Sequence, residues 1–334
     1  ALIASFIGEH TVAAMMLPVG LTLIAGAHPE PSRIPNLRAL ILLSIAYGAV
    51  AAAVGTPSGG ARNAIVIAYW RQLFDLNVSY LQWMLYLYPL VILQAPVVSW
   101  ILIRVFRPEL TDLSASIERL KERVAEEGIL SAREVWTVII FLFTVGLWIT
   151  VSDRLGLGTV AMIGVALYLM FGMVSWEELS RGINWGVIFI YAGAISLGVT
   201  MRGTGAAQWA AGALLAFVEP LGLDSGIPLL LLVALLTMAV ASVLSSGATV
   251  GLLAPVTLHM AELSGTSVTA AGLVTAAAAA FGYMTPLGSP ACGMVYGSGH
   301  LQRADFWKAG WRMSLVSLAL LMFMAAGYWH WLGV

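Results

Sequence analysis

The sequence predicts an all-α protein that crosses a membrane several times. Hydrophobic residues make up 60% of the 334 residues and charged residues only 10%, and the mean hydropathy is +0.91. These values exclude an ordinary soluble domain, whose surface must be covered largely by polar residues. The apolar residues also occur in long runs separated by short polar stretches, as membrane-spanning helices require.

Four polar interruptions within the apolar runs form two matching pairs. Residues 8–18 (GEHTVAAMMLP) correspond to 245–255 (SSGATVGLLAP), and residues 55–65 (GTPSGGARNAI) correspond to 284–295 (MTPLGSPACGMV). Nonhelical backbone at membrane depth is tolerated only inside protein or beside a watery cavity. Paired interruptions in two halves of a chain are the best sequence indication of a secondary transporter's binding site. We therefore predict an inverted repeat with two re-entrant hairpins and two broken helices.

The interruptions divide the chain into three parts. Residues 1–103 form a partial first repeat with one hairpin tip and one broken helix. Residues 104–134 form an amphipathic cytoplasmic linker helix at the membrane surface, with a solvated connector as the alternative. Residues 135–334 form the second repeat, with the other tip and broken helix. Because the chain starts inside an apolar run, we expect further helices before it.

The apolar runs predict the following elements in order. The first repeat has a hairpin at 1–27, a helix broken near residue 59 and a span at 81–103. The second repeat has spans at 136–151, 157–174 and 185–201, a hairpin at 229–263, a helix broken near residue 288 and a span at 310–331.

The distribution of positive charge predicts the orientation of these elements. If the first hairpin enters from the cytoplasm, twelve Lys and Arg residues fall on inside loops and three on outside loops. This distribution obeys the positive-inside rule and places the two hairpins on opposite sides, as an inverted repeat requires. We expect an integral protein of a bacterial inner (plasma) membrane.

The interruptions resemble those of the divalent anion/sodium symporter family, which carries dicarboxylates, citrate or sulfate. The family signature S-N-T-A-T…L-P aligns with residues 8–18 and 245–255, and G-T-x-x-G-T-P-P-N aligns with residues 55–63. The most specific match is L-P-x-A-T-P-P-N-A-I-V-F-G-S-G with residues 285–299 (TPLGSPACGMVYGSG). The resemblance covers essentially the whole chain. It implies loops that bind two sodium ions and the substrate, a homodimer, and an elevator-type movement of one domain against a fixed scaffold.

Several positions depart from these family signatures, including the following six. Asparagine is replaced at both tips and in the second break, threonine at both tips, and proline in the first break; the residues here are Glu9, His10, Arg62, Ser246, Gly247 and Cys292. We therefore expect this chain to share the family's fold and mode of transport more closely than its sodium stoichiometry or its substrate.

Breaks within spans also indicate which residues bind ligands. Free N–H groups at half-helix N-termini suit an anion, and unwound carbonyls and hydroxyls suit sodium. The expected substrate-binding residues are His10, Thr11, Arg62, Asn63, Ser245, Ser246, Gly247, Thr249, Ser289 and Pro290. The expected cation-binding residues are Gly8, Glu9, Gly59, Gly60, Ser245, Ser246 and Gly288. The alternative is that these small residues only pack helices together.

Glu9, His10 and Arg62 are ionisable residues predicted at membrane depth, where such residues are costly and usually functional. Glu9 could bind a proton or another cation, or it could form a structural pair with His10 or Arg62. Arg62 could hold a substrate carboxylate or sulfate through two hydrogen bonds, or it could neutralise Glu9. Elsewhere, we expect Cys292 to be a small buried residue, and His259 and Glu262 to face the membrane interface.

The sequence favours a transporter over other classes of protein. It has no HExxH or GxSxG motif and no paired aspartates within a span, which argues against an enzyme, and no basic stretch suggests nucleic acid. We expect import of a small divalent anion, a di- or tricarboxylate such as succinate, with no cofactor and with Na+ or H+ as the coupling ion. The alternatives are a permease for a sulfate- or arsenite-like oxyanion, a proton-coupled exchanger that uses Glu9 and His10, and an uncoupled channel.

Overall fold

The structure is a computed structural model that describes residues 2–128, 131–183 and 185–334. These residues form sixteen α-helices with short 3-10 and π segments, and the described part of the chain contains no β-strand. The prediction of an all-α fold is confirmed.

The first hairpin turns at Gly8. Helix α1 (Leu2–Ile7) ends there, α2 (Glu9–Ala27) begins one residue later, and the two helices pack against each other. Gly8 has φ of 87° and ψ of 148°. Because side chains with a Cβ rarely adopt this backbone conformation, the turn depends on glycine. The predicted interruption is therefore confined to Gly8, and His10 and Thr11 already lie in the first turn of α2.

The first broken helix follows directly. Helix α3 (Pro35–Ala52) ends at a loop that contains a 3-10 turn (Pro57–Gly59), and α4 (Ala61–Phe74) begins beyond it. The chain then continues into the long helix α5 (Tyr80–Val105). Ser79 begins α5 with a capping box: its hydroxyl accepts a hydrogen bond from the backbone N–H of Gln82, and its own backbone N–H donates to Gln82 Oε1.

Six helices lie between α5 and the second hairpin. They are α6 (Ser114–Glu127), α7 (Ala132–Leu155), α8 (Leu157–Met170), α9 (Trp176–Gly182), α10 (Trp185–Gly203) and α11 (Ala206–Val218). Helix α6 lies within the residues predicted as a linker. It packs against α2, where Ser116 is buried beside Gly26, whereas the apolar side chains of Ile117 and Val124 are 45% and 60% exposed.

The second half repeats the arrangement of the first. Helices α12 (Gly226–Ala241) and α13 (Ser246–Leu263) pack against each other around a turn at residues 242–245. Helix α14 (Val268–Ala278) then breaks before α15 (Pro290–Gly297), and α16 (Arg303–Phe323) follows.

The contacts between helices are reciprocal in the two halves. Helix α2 packs on α3 as α13 packs on α14, and α3 packs on α5 as α14 packs on α16. Across the halves, α4 packs on α13 and α15 packs on α2. Each half-helix that follows a break thus contacts the hairpin of the other half, as expected for an internal repeat.

Five helices among the described residues are long and apolar enough to cross a membrane. They are Glu9–Ala27, Pro35–Ala52, Tyr80–Val105, Ala132–Leu155 and Arg303–Trp329. A sixth crossing is possible if Ala206–Leu221 and Gly226–Ala241, which meet at 117°, count as one span. The prediction of a polytopic membrane protein is confirmed.

One predicted span is shorter than the sequence indicated. The run at 157–174 forms a helix only over Leu157–Met170, whereas the run at 185–201 is helical over Trp185–Gly203. Gly156 and Gly172, with φ of 82° and 65°, bound the shorter helix. Glycine in this conformation ends helices, which hydropathy alone does not reveal.

Candidate functional site

A buried ion pair joins the first hairpin tip to the first break. The Arg62 Nη1 lies 2.8 Å from Glu9 Oε2, and the two side chains are only 1% and 5% exposed. Neither charge could be buried alone without a large desolvation cost, which the partner offsets. Of the alternatives that the sequence leaves open for Glu9, the structure therefore contains the pair with Arg62. His10 is exposed, and its ring lies beside Gly8.

The Arg62 guanidinium also contacts the second half of the molecule. Nη1 donates to the Ser246 Oγ at 3.3 Å, and Nη2 donates to the carbonyl oxygen of Val50 at 3.4 Å. Arg62 thus connects the first tip, the end of α3 and the second tip. Its Nε is buried without a hydrogen-bond partner among the described residues, so one donor of the guanidinium is left over.

Asn63 stabilises the backbone of the first break. Its Nδ2 donates to the carbonyl oxygens of Ala53 at 2.9 Å and Thr56 at 2.7 Å, which the helix break has freed. Within the described part of the chain, Asn63 Oδ1 has no hydrogen-bond partner, and neither has the buried Thr249 Oγ1 in the first turn of α13. Two buried oxygens are therefore available as acceptors.

The first tip and the first break are held together by backbone and hydroxyl groups. Ser5 Oγ donates to the carbonyl oxygen of Ala52 at 3.0 Å, and Thr56 Oγ1 donates to the carbonyl oxygen of Ser5. A Cβ on Gly59 would collide with the carbonyl oxygens of Ala53 and Ser5. This close approach explains why glycine stands at that position. Gly60 beside it is half-buried and lies against the Arg62 side chain.

The second tip and the second break are joined in the same way. Thr285 Oγ1 donates to the carbonyl oxygen of Ser242 at 2.7 Å. A Cβ on Gly288 would collide with the backbone of Gly282. Each hairpin tip is thus hydrogen-bonded to the break of its own half.

Two of the predicted ligand serines begin helices. Ser245 Oγ accepts from the backbone N–H of Ala248 at 3.4 Å at the start of α13, and Ser289 Oγ accepts from that of Cys292 at 3.1 Å at the start of α15. Ser289 is buried, whereas Ser245 is exposed. N-capping satisfies helix donors but still leaves each hydroxyl a proton to donate.

The structure does not bring every predicted site residue into the buried cluster. His10, Ser245 and Pro290 are exposed and Thr11 is half-buried, whereas Glu9, Arg62, Asn63, Ser246 and Thr249 are buried. Cys292 is 1% exposed, which confirms the prediction of a small buried residue.

Tyr191 is a residue of the site that the sequence did not indicate. A Cβ on Gly247 would lie 2.5 Å from the Tyr191 Cε1 and hydroxyl oxygen, so the aromatic ring covers the second tip at its glycine. The ring is also within range of the charges of Glu9 and Arg62. The only signal in the sequence is a lone tyrosine in an apolar helix, which many membrane helices share.

The expectation that His259 faces the membrane interface is wrong. His259 is fully buried, its Nδ1 donates to the carbonyl oxygen of Pro255 at 2.6 Å, and Gln208 Nε2 lies 3.1 Å from its Nε2. Phe74 also covers the imidazole, with a distance of 5.1 Å between ring centroids. Helices α4 and α11, which pack on α13, supply this cover. Glu262, one turn later, is 49% exposed as expected.

The acceptor groups of the site are oxygen atoms rather than clustered metal ligands. No group of three or more His, Cys, Asp or Glu side chains in the described ranges could hold a metal ion. Among the described residues, the buried site oxygens without a hydrogen-bond partner are an amide oxygen (Asn63) and a hydroxyl oxygen (Thr249), whereas the Glu9 carboxylate is paired with Arg62.

Comparison with known proteins identifies the family. The family model described as "Sodium:sulfate symporter transmembrane region" matches residues 11–334. An uncharacterized transporter of Haemophilus influenzae is 25% identical, over 99% of this chain and 71% of its own length. The sodium-dependent dicarboxylate transporter SdcS of Staphylococcus saprophyticus is 24% identical, over 96% of this chain and 66% of its own length. The same transporter of Staphylococcus aureus (strain USA300) is 23% identical, over 96% and 65%.

The chain therefore spans about two thirds of the length of these relatives. The family model covers nearly the whole chain, and its match agrees with the apolar helices and with the resemblance seen in the four interruptions. The chain is an integral membrane protein that belongs to the sodium:sulfate symporter transmembrane-region family.

Proposed function

We propose that this chain belongs to a secondary active transporter that imports a small divalent anion, such as the dicarboxylate succinate, together with a cation. The observation that carries this proposal is the buried Arg62 guanidinium, which contacts both hairpin tips and the first break. A guanidinium suits a carboxylate because its donors match the two carboxylate oxygens. The names of the two Staphylococcus relatives support the choice of a dicarboxylate.

The anion would bind between the two tips. Helices α4, α13 and α15 all begin at an interruption, so their free N–H groups and positive dipole ends favour negative charge there. Ser246 and the free Nε of Arg62 would add hydrogen bonds from side chains. A substrate carboxylate would take the place of Glu9 beside the guanidinium.

Sodium is the first candidate for the coupling ion. Asn63 Oδ1 and Thr249 Oγ1 are buried oxygens without hydrogen-bond partners among the described residues, and such oxygens are suitable sodium ligands. The relatives named sodium-dependent support the same ion. The remaining predicted cation ligands (Gly8, Gly59, Gly60 and Gly288) would contribute through the backbone of the tips and breaks.

A proton is the second candidate, and the Glu9–Arg62 pair favours it. If substrate displaces Glu9 from Arg62, the freed carboxylate is left in a buried place, where a proton would neutralise it. Proton binding by Glu9 would then accompany anion binding. This route needs no sodium ligand.

The proposed movement follows from the repeat. Residues 1–103 and 135–334 would form two related halves, and residues 104–134 the linker between them. The hairpins and broken helices would move as one unit against a scaffold in an elevator-type cycle, within a homodimer. The reciprocal contacts of α4 with α13 and of α15 with α2 support a single moving unit.

Uptake of labelled succinate into proteoliposomes that contain the full-length protein tests the function. A sodium gradient and a proton gradient are imposed separately, and unlabelled succinate, sulfate and arsenite are added as competitors. We expect sodium-driven uptake that unlabelled succinate inhibits most strongly. Uptake driven only by protons, and lost in Glu9→Gln, would select the second coupling ion. Uptake of sulfate or arsenite without succinate would select the oxyanion alternative, and no uptake of any of them would refute the proposal.

A further inference from the structure

A basic cavity lies where α5 ends and α16 begins. It has a volume of about 420 Å³, and its lining consists of Trp100, Ile101, Arg104, Val105, Lys308 and Arg312. Half of the lining residues are cations, and the others form an apolar wall from α5. This cavity does not include any residue of the tips or breaks.

The positive charge of this cavity is only partly neutralised within the chain. Lys308 Nζ lies 3.5 Å from Asp305 Oδ1. Among the described residues, neither Arg104 nor Arg312 forms an ion pair. The two guanidinium groups lie over indole rings instead, with Arg104 Cζ 5.1 Å from the Trp100 ring and Arg312 Cζ 4.5 Å from the Trp311 ring. About two positive charges are therefore available to an anion.

The cavity lies at the border of the apolar surface. Ile92 and Ile103 of α5 are 63% and 54% exposed, and Leu315 and Phe323 of α16 are 62% and 69% exposed, so both helices present apolar side chains outward. Exposed tryptophan rings beside the cavity are typical of the headgroup level of a membrane. The end of α5 and the start of α16 adjoin loops that the positive-inside rule assigns to the cytoplasm, where the leaflet carries anionic lipids.

We propose that this cavity binds an anionic phospholipid of the cytoplasmic leaflet. The lipid phosphate lies between the guanidinium groups of Arg104 and Arg312, with Lys308 beside it. Trp100 and Ile101 pack against the glycerol and the first methylenes of an acyl chain. A free phosphate would use the cations but gain nothing from this apolar wall. The site is separate from the proposed transport site, and it would persist if the cargo or the coupling ion proved different.

Native mass spectrometry of the detergent-purified full-length protein tests the site. Phosphatidylglycerol and phosphatidylcholine with identical acyl chains are titrated separately, and inorganic phosphate is added as a competitor. We expect wild-type protein to prefer phosphatidylglycerol, and the double variant Arg104→Gln/Arg312→Gln to bind it roughly thirtyfold more weakly, because each cation lost near an anionic lipid surface lowers the affinity about fivefold. Phosphatidylcholine binding should not change.

The control variant is Arg119→Gln/Arg154→Gln, which removes two exposed arginines outside the cavity. Its net charge is the same as that of Arg104→Gln/Arg312→Gln. It should retain the wild-type preference. An unchanged preference in Arg104→Gln/Arg312→Gln, or an equal loss in the control, would overturn the proposal. Competition by millimolar phosphate would indicate a simple ion site and would also overturn it. The wild-type protein gives a test that needs no variant, since its preference for phosphatidylglycerol must weaken as salt is raised.

Discussion

Arg62 is the residue on which the centre of the molecule depends. It is 1% exposed, and its guanidinium donates to Glu9 of the first tip, Val50 of α3 and Ser246 of the second tip. A buried charge with several partners holds those partners in fixed positions, but it becomes costly as soon as one charged partner is removed.

Removing one member of the buried pair should therefore destabilise the protein more than removing both. We expect Arg62→Met to cost about 3–5 kcal/mol, because Glu9 is left buried and unpaired, and the double variant Glu9→Leu/Arg62→Met to recover much of this loss. Thermal unfolding of the purified proteins measures both. Arg181→Met is the control, since its ion pair with Glu177 is exposed and worth at most about 1 kcal/mol. A double variant no more stable than Arg62→Met would show that the pair is not the cause.

The second tip has a matching steric constraint at Gly247. A Cβ there would lie 2.5 Å from the Tyr191 ring, so Gly247→Ala should push α10 away from α13 and cost about 1–3 kcal/mol. Gly193→Ala on α10 is the control, because nothing lies within 4 Å of its added Cβ. Melting temperatures distinguish the two. If both variants melt like the wild type, Tyr191 is not packed against the tip.

The sequence predicted where the apolar runs are interrupted, but not which side chains pair at the interruptions. Glycines within apolar runs predicted the interruptions, because glycine and unpaired backbone are costly in membrane helices. The pairing of Glu9 with Arg62 rather than His10 depends on how α4 packs against α2, which residue spacing does not specify. Helical spacing placed His259 and Glu262 together, but it could not show that α11 covers only the first of them.

At the scale of elements, the start of α3 shows how a loop outside the membrane fixes a helix. The Glu109 carboxylate accepts hydrogen bonds from the backbone N–H groups of Asn36 at 2.8 Å and Leu37 at 2.9 Å. These groups have no partner within the helix, and the negative charge also suits the helix dipole. Partial burial raises the pKa of Glu109, but these hydrogen bonds and the nearby Arg38 outweigh that effect and hold the pKa below its usual value.

This cap should make stability depend on pH. A carboxyl group with a lowered pKa in the folded state stabilises the protein above its unfolded pKa of about 4.3, and the contribution is lost as the pH falls through the lower folded pKa. Glu109→Gln should therefore lower the melting temperature at pH 7, and the difference should shrink as the pH falls below about 4. Glu30→Gln, at an exposed pair with Arg33, is the control. A difference that stays constant with pH would contradict the cap.

The broken helices are the elements that the sequence predicted best. Both breaks lie where Gly, Pro and Ser interrupt the apolar runs, and both require a glycine that leaves no room for a Cβ, at Gly59 and Gly288. The length of α8 was predicted less well. Hydropathy detects apolar character but not the positive-φ backbone at Gly156 and Gly172, which lie just before and just after α8.

For the whole molecule, the main feature is that each half supplies a hairpin to the broken helix of the other. Residue patterns predicted two related halves, but only the structure shows that α4 packs on α13 and α15 on α2. Arg62 lies at the first of these contacts, so a ligand that binds the guanidinium would alter both tips together. Binding of an anion to Arg62 would therefore change the contacts of both halves of the transporter at once.

The most direct test of this account is sodium-driven succinate uptake by the variant Glu9→Gln/Arg62→Gln. The variant removes both charges together, so it leaves no unpaired charge in the core. The matched control is Glu177→Gln/Arg181→Gln, which neutralises an exposed pair. We expect the wild type and the control to transport succinate, and the core variant to keep its folded melting transition but lose uptake. Uptake by the core variant with wild-type apparent affinity would show that Arg62 does not bind the anion.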